Sequence, residues 1–204
     1  IKAAKPVEAV IYKPKHTFAD FALNNVLQRN LQAKGITTPS PIQDQAIPAG
    51  LAGSDVVGIA NTGTGKTIAF AIPVFQKLMA QRQSRALIMA PTRELAQQID
   101  DECRSIAKGS GALGAILIGG SAMGPQLRDL RARPNIVIGT PGRIKDHIER
   151  GSLDLSKFDI IVLDEVDRML DMGFVNDVRK ILSTMASQRQ SFFFSATLDD
   201  RVDA

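Results

Sequence analysis

The 204-residue sequence is poor in the residue types that build disulfides and metal centres. It has one cysteine, two histidines, one tyrosine and no tryptophan. Cys103 alone cannot form a disulfide within the chain, and the separation of His16 from His147 argues against a structural zinc site. No apolar run approaches the ~18 residues of a membrane-spanning helix, and no signal peptide is visible. These absences favour a cytoplasmic protein without a membrane partner.

The charge balance is mildly basic. The chain has 25 Lys and Arg residues against 21 Asp and Glu residues, for a formal net charge of +4. Such an excess is compatible with a nucleic-acid partner but does not require one. Hydrophobic residues make up 44% of the sequence, which suits a globular domain with a sizeable core. Residues 1–17, rich in Lys and Pro, are predicted to be an N-terminal extension, and residues 18–204 to form one domain.

Two short helices are predicted before residue 55. Asp20 is a candidate N-cap for the first helix, which Gly35 would end. Pro41 suits the first turn of the second helix, because the missing proline N–H has no partner there anyway.

Beyond residue 55, apolar runs alternate with helical patterns. The predicted strands cover residues 56–60, 86–90, 114–118, 135–139, 159–163 and 191–195, and the helices lie near 66–80, 93–107, 123–132, 142–150 and 174–186. Strands rich in Val, Ile and Leu and separated by helices indicate an α/β fold, with a mostly parallel sheet covered by helices on both faces. Such sheets bind ligands beyond the carboxyl ends of their strands, so the residues that follow each strand are informative.

Residues 60–67, Ala-Asn-Thr-Gly-Thr-Gly-Lys-Thr, lie between the first strand and a helix. They are a variant of the phosphate-binding loop in which Ala60 replaces the first glycine. The glycines let the backbone curl, and the helix N-terminus attracts phosphate. Lys66 adds a full charge and Thr67 a hydroxyl suited to Mg²⁺. A Gly/Thr-rich turn that merely ends a strand is the alternative. The predicted nucleotide-binding residues of the loop are Thr62, Gly63, Thr64, Gly65, Lys66 and Thr67.

An acidic cluster, residues 164–167 (Asp-Glu-Val-Asp), follows the strand at 159–163. Opposite a phosphate loop, Asp164 is the natural partner of Mg²⁺, directly or through water. Glu165 is then placed to orient or deprotonate an attacking water. The alternative is an acidic N-cap that stabilises the following helix.

Three further strand ends carry hydroxyls, bare backbone N–H groups or an arginine, at residues 91–95, 119–120 and 140–143. Three such sites in a row would suit a phosphodiester backbone, whereas ordinary turn chemistry explains any one of them. After the last strand, Ser195 and Thr197 could hydrogen-bond Asp167, or act as plain helix caps. The candidate residues of the three strand ends are Pro91, Thr92, Arg93, Gly119, Gly120, Thr140, Pro141, Gly142 and Arg143.

Together these motifs resemble the first RecA-like domain of the DEAD-box RNA helicases of superfamily 2, from Phe18 to Thr197. The run at 168–174, Arg-Met-Leu-Asp-Met-Gly-Phe, is similar to that of bacterial members. The motifs that carry the resemblance are Phe18 with residues 35–43 (Q motif), 60–67 (motif I), 91–95 (Ia), 119–120 (GG), 140–143 (Ib), 164–167 (II) and 195–197 (III).

The resemblance implies a RecA-like P-loop fold, with ATP and Mg²⁺ as cofactors and RNA as a partner bound independently of its sequence. It implies that Gln43 reads the adenine edge and that Phe18 stacks on the base. Lys66, Asp164 and Glu165 are implied as catalytic residues, with Thr67 and Asp164 holding Mg²⁺, partly through water.

The same resemblance implies roles for the other motifs. Asp167 would bond to Ser195 and Thr197 and couple nucleotide state to other surfaces. The residues implied in contacts with RNA phosphates and 2′-hydroxyls are Arg93, Gly120, Thr140 and Arg143.

Two positions and one region depart from the family pattern. Val166 stands where the family name implies Ala, and Ser40 where Thr is commoner. We expect Val166 to be a neutral apolar swap, the alternative being a small shift of Asp167. The second RecA-like domain, which supplies arginine fingers, is expected to be absent from this chain. The expectation is therefore a half-enzyme that binds adenine nucleotides with little turnover. The alternative is a single-domain, ATP-sensing RNA-binding module without helicase activity.

Overall fold

The computed structural model describes residues 12–197, and the remaining predicted extension and the end of the predicted domain lie outside these residues. The sheet has six strands, all parallel, in the order β1-β6-β5-β2-β4-β3. The strands are β1 Val56–Ile59, β2 Ala86–Met89, β3 Gly114–Leu117, β4 Ile136–Gly139, β5 Ile160–Leu163 and β6 Gln190–Ser195. The helices are α1 Asn25–Ala33, α2 Pro41–Leu51, α3 Lys66–Ala80, α4 Arg93–Ile106, α5 Met123–Arg131, α6 Pro141–Glu149, α7 Val166–Asp171 and α8 Val175–Ser183.

This architecture confirms the predicted α/β fold. Each predicted strand overlaps an observed one, and three of the four interior strands, β5, β2 and β4, are buried at every residue. Continuous apolar runs predict these strands correctly because helices cover both faces of a parallel sheet, so that side chains on both faces are buried. β1 differs, because it is an edge strand of the described sheet and alternates between buried and exposed residues. Val57 is 64% exposed and Ile59 is 47% exposed.

Two hydrophobic clusters lie on the two faces of the sheet. Along β2, Ala86 and Ile88 belong to one cluster and Leu87 and Met89 to the other, as the alternation of side chains in a strand requires. The first cluster includes side chains of α1–α4, and the second those of α6–α8. None of the helices within residues 12–197 combines the length and the apolar character needed to cross a membrane.

The prediction that Asp20 caps the first helix was wrong. That helix begins at Asn25, and Asn24 is its N-cap, accepting a hydrogen bond from Val26 N at 2.9 Å. Asp20 instead accepts hydrogen bonds from the N–H of Thr17 at 2.6 Å and from its hydroxyl at 2.8 Å. Ala22 has φ 49°, a left-handed conformation that cannot continue a helix, so the turn closed by Asp20 is separate from α1.

Candidate active site

The phosphate-binding loop leaves β1 and turns directly into α3. Gly63 and Gly65 have φ values of 84° and 89°, a region that glycine adopts without steric cost. A Cβ at Gly65 would also collide with the amide nitrogen of Gln43, whereas one at Gly63 would meet nothing within 4 Å. The loop thus needs Gly63 for its backbone angle and Gly65 for both its angle and the close approach of α2.

The first turn of α2 is bonded to this loop. Ser40 Oγ donates to the carbonyl of Thr64 at 2.8 Å, and Gln43 Nε2 donates to the carbonyl of Gly65 at 3.1 Å. Ser40 N donates to Gln43 Oε1 at 2.9 Å, which fixes the orientation of the amide. Gln43 is 5% exposed. Its predicted contact with adenine remains a prediction, and in this structure both ends of the amide bind protein.

Phe18 lies in the core beside this region. Its ring meets Phe21 edge-on, with centroids 5.7 Å apart, and the residue is 7% exposed. The predicted stacking of Phe18 on adenine is not tested by this arrangement.

Lys66 and Asp164 form the buried centre of the site. Lys66 Nζ lies 3.5 Å from Asp164 Oδ1, and the two side chains are 6% and 3% exposed. The ammonium nevertheless has no partner at hydrogen-bonding geometry. Burial raises the pKa of Asp164, and this effect outweighs the opposing attraction of Lys66, while the charge of Glu165 raises it further. A buried ammonium with unused hydrogen-bond donors fits the oxygens of a nucleotide phosphate.

Glu165 joins the acidic cluster to the phosphate loop. Its Oε1 accepts a hydrogen bond from Thr62 Oγ1 at 3.0 Å, and its Oε2 pairs with Arg168 Nη1 at 3.2 Å. The residue has φ 54°, which is uncommon for a non-glycine residue. Backbone strain of this kind costs about 1–3 kcal/mol and persists where the surrounding structure enforces it. The carboxylate is therefore held at the mouth of the phosphate loop.

Asp167 contacts the residues that follow β6. Its Oδ2 accepts hydrogen bonds from Ala196 N and Thr197 Oγ1, each at 3.2 Å. Burial raises the pKa of Asp167, but hydrogen bonds, led by that from Arg168 N, bring it below its ordinary value. The buried Oγ of Ser195 has no partner at hydrogen-bonding geometry. The structure thus brings Asp167 to Thr197 directly, and Ser195 lies close to it without a formed bond.

A second concave region, called here the strand-end groove, lies where β2, β3 and β4 end. Its volume is about 490 Å³. It brings together seven of the nine candidate residues of the three strand ends. The other two are Gly120, where a Cβ would collide with the Arg93 guanidinium, and Pro141, the buried first residue of α6. The lining residues are Pro91, Thr92, Arg93, Glu94, Gly119, Thr140, Gly142, Arg143, Asp146, Met172 and Phe174.

Hydrogen bonds give the strand-end groove its shape. Arg143 Nη1 donates to the carbonyl of Ser121 at 3.1 Å, which ties α6 to the loop after β3. Thr92 caps α4 by accepting from Leu95 N at 3.2 Å. Arg93 has no ion-pair partner among the described residues, so its charge is available to an anion.

The family model for DEAD/DEAH box helicases matches residues 40–204. The chain belongs to the DEAD/DEAH box helicase family. The matched range includes the phosphate loop, the acidic cluster and the residues that line the strand-end groove.

Relatives within this family agree with the fold. The DEAD-box ATP-dependent RNA helicase CshA of Bacillus subtilis (strain 168) is 44% identical over 183 residues, 89% of this chain and 37% of the relative. The ATP-dependent RNA helicase DeaD of Haemophilus influenzae is 44% identical over 190 residues, 92% of this chain and 31% of the relative. The crystal structure of a DEAD box protein from the hyperthermophile Methanococcus jannaschii has a TM-score of 0.85 and 39% identity, covering 91% of this chain and 51% of that one. The chain therefore spans well under half of the two helicase relatives.

Sequence reasoning missed several members of this DEAD/DEAH box site. Ser40 was noted only as a replacement for the commoner Thr, and its hydroxyl donates a hydrogen bond to the phosphate loop. Met172 and Phe174 line the strand-end groove, although they come from the segment between α7 and α8. Asp146 was detectable, since it lies three residues after Arg143 on α6 and its Oδ2 is 4.0 Å from Arg143 Nε.

Proposed function

We propose that this chain is the ATP-binding half of an ATP-dependent RNA helicase. The observation that carries the proposal is the buried Lys66 ammonium, which faces Asp164 and has no hydrogen bond. A lysine held this way at a helix N-terminus is poorly satisfied by the protein alone and is well suited to phosphate oxygens. The names of the homologous helicases, and the family itself, support the same function.

The nucleotide and its metal are assigned to residues of the phosphate loop, of the acidic cluster and of the Q motif. Backbone N–H groups of residues 62–67 and the Lys66 ammonium bind the phosphates, and Gln43 and Phe18 recognise adenine. Thr67 and Asp164 hold Mg²⁺, partly through water. Residues 12–197 contain no group of three His, Cys, Asp or Glu side chains placed to bind a metal. The remaining ligands of Mg²⁺ would be phosphate oxygens and water, as Mg²⁺ prefers. When bound, Mg²⁺ neutralises developing phosphate charge.

Glu165 orients the attacking water and accepts its proton. The hydrogen bond from Thr62 and the ion pair with Arg168 hold its carboxylate at the phosphate loop. Asp167 then links this chemistry to the segment after β6 through Thr197. Val166 between them packs in the apolar core of the second cluster, and we expect Val166→Ala to change RNA-stimulated hydrolysis by no more than a few-fold.

The strand-end groove binds the RNA backbone. Two arginines and two threonine hydroxyls in a groove of about 490 Å³ suit phosphates and 2′-hydroxyls. Glu94 and Asp146 in the same groove reduce its positive charge, so binding is expected to be weak without a second RecA-like domain. The cytoplasmic location predicted from the sequence is part of the same proposal.

Binding measurements with this chain test the function. The chain is expected to bind fluorescent ATP with Mg²⁺ in preference to GTP, and Lys66→Met to abolish that binding while the variant stays folded. Joined to a second RecA-like domain, it is expected to hydrolyse ATP in response to RNA. Robust RNA-dependent turnover by the chain alone would refute the half-enzyme proposal. Nucleotide and RNA binding without hydrolysis, even with a second domain present, would favour the ATP-sensing module.

A further inference from the structure

Asp44 is the most heavily hydrogen-bonded buried carboxylate outside the catalytic residues in the described part of the chain. Its side chain is 1% exposed. Oδ2 accepts from Tyr12 OH at 2.5 Å and from Lys15 N at 2.8 Å, and Oδ1 accepts from His16 N at 3.1 Å and lies 2.7 Å from His16 Nδ1. All four contacts come from residues 12–16, called here the arm.

The helix that carries Asp44 does not itself require these contacts. An acidic residue in the first turn of a helix gains from the dipole while it remains in water, and at the N-terminus of α2 the Gln43 side chain already accepts a hydrogen bond from Ser40 N. Burial raises the pKa of Asp44, but hydrogen bonds from Tyr12, Lys15 and His16 bring it to about 2. The arm therefore replaces the water that this carboxylate has lost.

One line of contacts runs from the arm to the phosphate loop. Asp44 follows Gln43 directly in the first turn of α2, and that turn donates hydrogen bonds to the carbonyls of Thr64 and Gly65. A displacement of the turn that accompanied release of the arm would move the Gln43 amide away from its present bonds. By binding Asp44, the arm thus helps to fix the position of Gln43.

A second line of contacts runs through aromatic rings. The His16 ring lies 5.6 Å from that of Phe21, and Phe21 meets Phe18 at 5.7 Å. Phe21 and Phe18 are both buried. The arm is therefore connected to both residues assigned to adenine: to Gln43 through Asp44, and to Phe18 through the ring of Phe21. Among the described residues, the arm forms no hydrogen bond with Lys66 or Asp164, which are assigned to the phosphates.

We propose that Asp44 is a positioning residue that, by binding the arm, holds Gln43 and Phe18 in place for recognition of adenine. The inference rests on the proposed ATP-binding function and adds a source of base selectivity to it. Loss of the arm contacts weakens binding of the adenine base and leaves binding of the triphosphate largely intact.

Two variants test the positioning role. Asp44→Asn keeps the shape but places an amide against the donors of the arm, and Tyr12→Phe removes one hydrogen bond from a side chain that is 38% exposed. The exposed position of Tyr12 keeps the second variant folded if the first is damaged. Asp159→Asn is the matched control, because Asp159 also accepts hydrogen bonds, from Ser84 and Arg85 N, and pairs with Lys77, but at the opposite end of the strands.

The readouts are the dissociation constants of fluorescent ATP, fluorescent GTP and magnesium tripolyphosphate, measured on the complete chain. We expect Asp44→Asn to weaken ATP binding about tenfold, and Tyr12→Phe about threefold, as the loss of hydrogen bonds of ordinary strength predicts. As ATP affinity falls in these variants, the preference for ATP over GTP should fall as well. The affinity for tripolyphosphate should stay within about twofold of that of the unsubstituted chain. Asp159→Asn should change none of the three constants.

Each other outcome has a distinct meaning. Unchanged base preference in both Asp44→Asn and Tyr12→Phe would overturn the positioning role. Equal loss of ATP and tripolyphosphate binding in Tyr12→Phe would also overturn it, because the effect would then be on the phosphate loop or on folding. Failure of the unsubstituted chain to bind ATP would instead overturn the proposed function.

Discussion

The buried pair of Lys66 and Asp164 allows a quantitative test of how the site balances stability against binding. The charged atoms are 3.5 Å apart, and at an effective dielectric constant of about 20 their attraction is roughly 5 kcal/mol. Removing each ion from water costs several kcal/mol. Burial raises the pKa of Asp164 despite the nearby ammonium, so desolvation outweighs attraction and the pair adds little net stability.

The perturbation is a double-mutant cycle with Lys66→Met and Asp164→Asn. Each single change leaves one buried charge unpaired and is expected to lower the unfolding free energy by about 3 kcal/mol, whereas the double variant should lie within about 1 kcal/mol of the unsubstituted chain. The assay is urea unfolding followed by circular dichroism at neutral pH without nucleotide, because the chain has no tryptophan for fluorescence. Single effects that add up in the double variant would refute the balance described above.

The same pair predicts a pH dependence with a definite sign. Because the pKa of Asp164 is raised in the folded state, the folded protein binds this proton more readily than the unfolded chain does. The contribution of Asp164 to stability is therefore greatest at low pH and is lost as the pH rises through the folded-state pKa. The unfolding free energy of the unsubstituted chain, relative to that of Asp164→Asn, should rise as the pH falls from 7 toward 4. A flat difference over that range would contradict the raised pKa.

Three further predictions concern other parts of the molecule. Gly120→Ala places a methyl group against Arg93 at φ 74° and should weaken binding of single-stranded RNA about tenfold by fluorescence anisotropy, whereas Gly124→Ala, with nothing within 4 Å, should not. Phe194→Ala removes a fully buried ring and should lower the unfolding free energy by about 4 kcal/mol in urea titrations. Burial raises the pKa of the Cys103 thiol, so a thiol reagent should label it only as the protein opens, and rapid labelling of the native chain would contradict its burial.

The sheet and the phosphate loop could be predicted because their signals are local. Apolar runs marked all six strands, those of β1 to β5 containing Val, Ile or Leu and that of β6 three phenylalanines. The spacing of Gly63, Gly65 and Lys66 marked the loop. α1 was misjudged at its start because Asp20 and Asn24 are both good caps, and the backbone at Ala22 decides between them. Single-sequence patterns carry no such information about backbone angles.

The contacts that assemble the site could not be predicted in the same way. Ser40 and Thr64 are 24 residues apart, and Thr62 and Glu165 are 103 residues apart. Such pairs depend on how the helices pack against the sheet, which no local pattern specifies. Asp44 is the clearest example, since no sequence pattern singled it out and only the folded chain shows the arm bound to it.

The edge strand β1 also affects how readily copies of this chain associate in concentrated solution. Among the described residues, no strand pairs with its outer side, and Val57 and Ile59 are largely exposed there. An unpaired strand with apolar side chains is a template on which another chain can add. Concentrated solutions of this chain are therefore expected to lose protein by edge-to-edge association before the domain unfolds. The single substitution Val57→Lys is expected to reduce this association, because a charged side chain on an edge strand opposes strand addition.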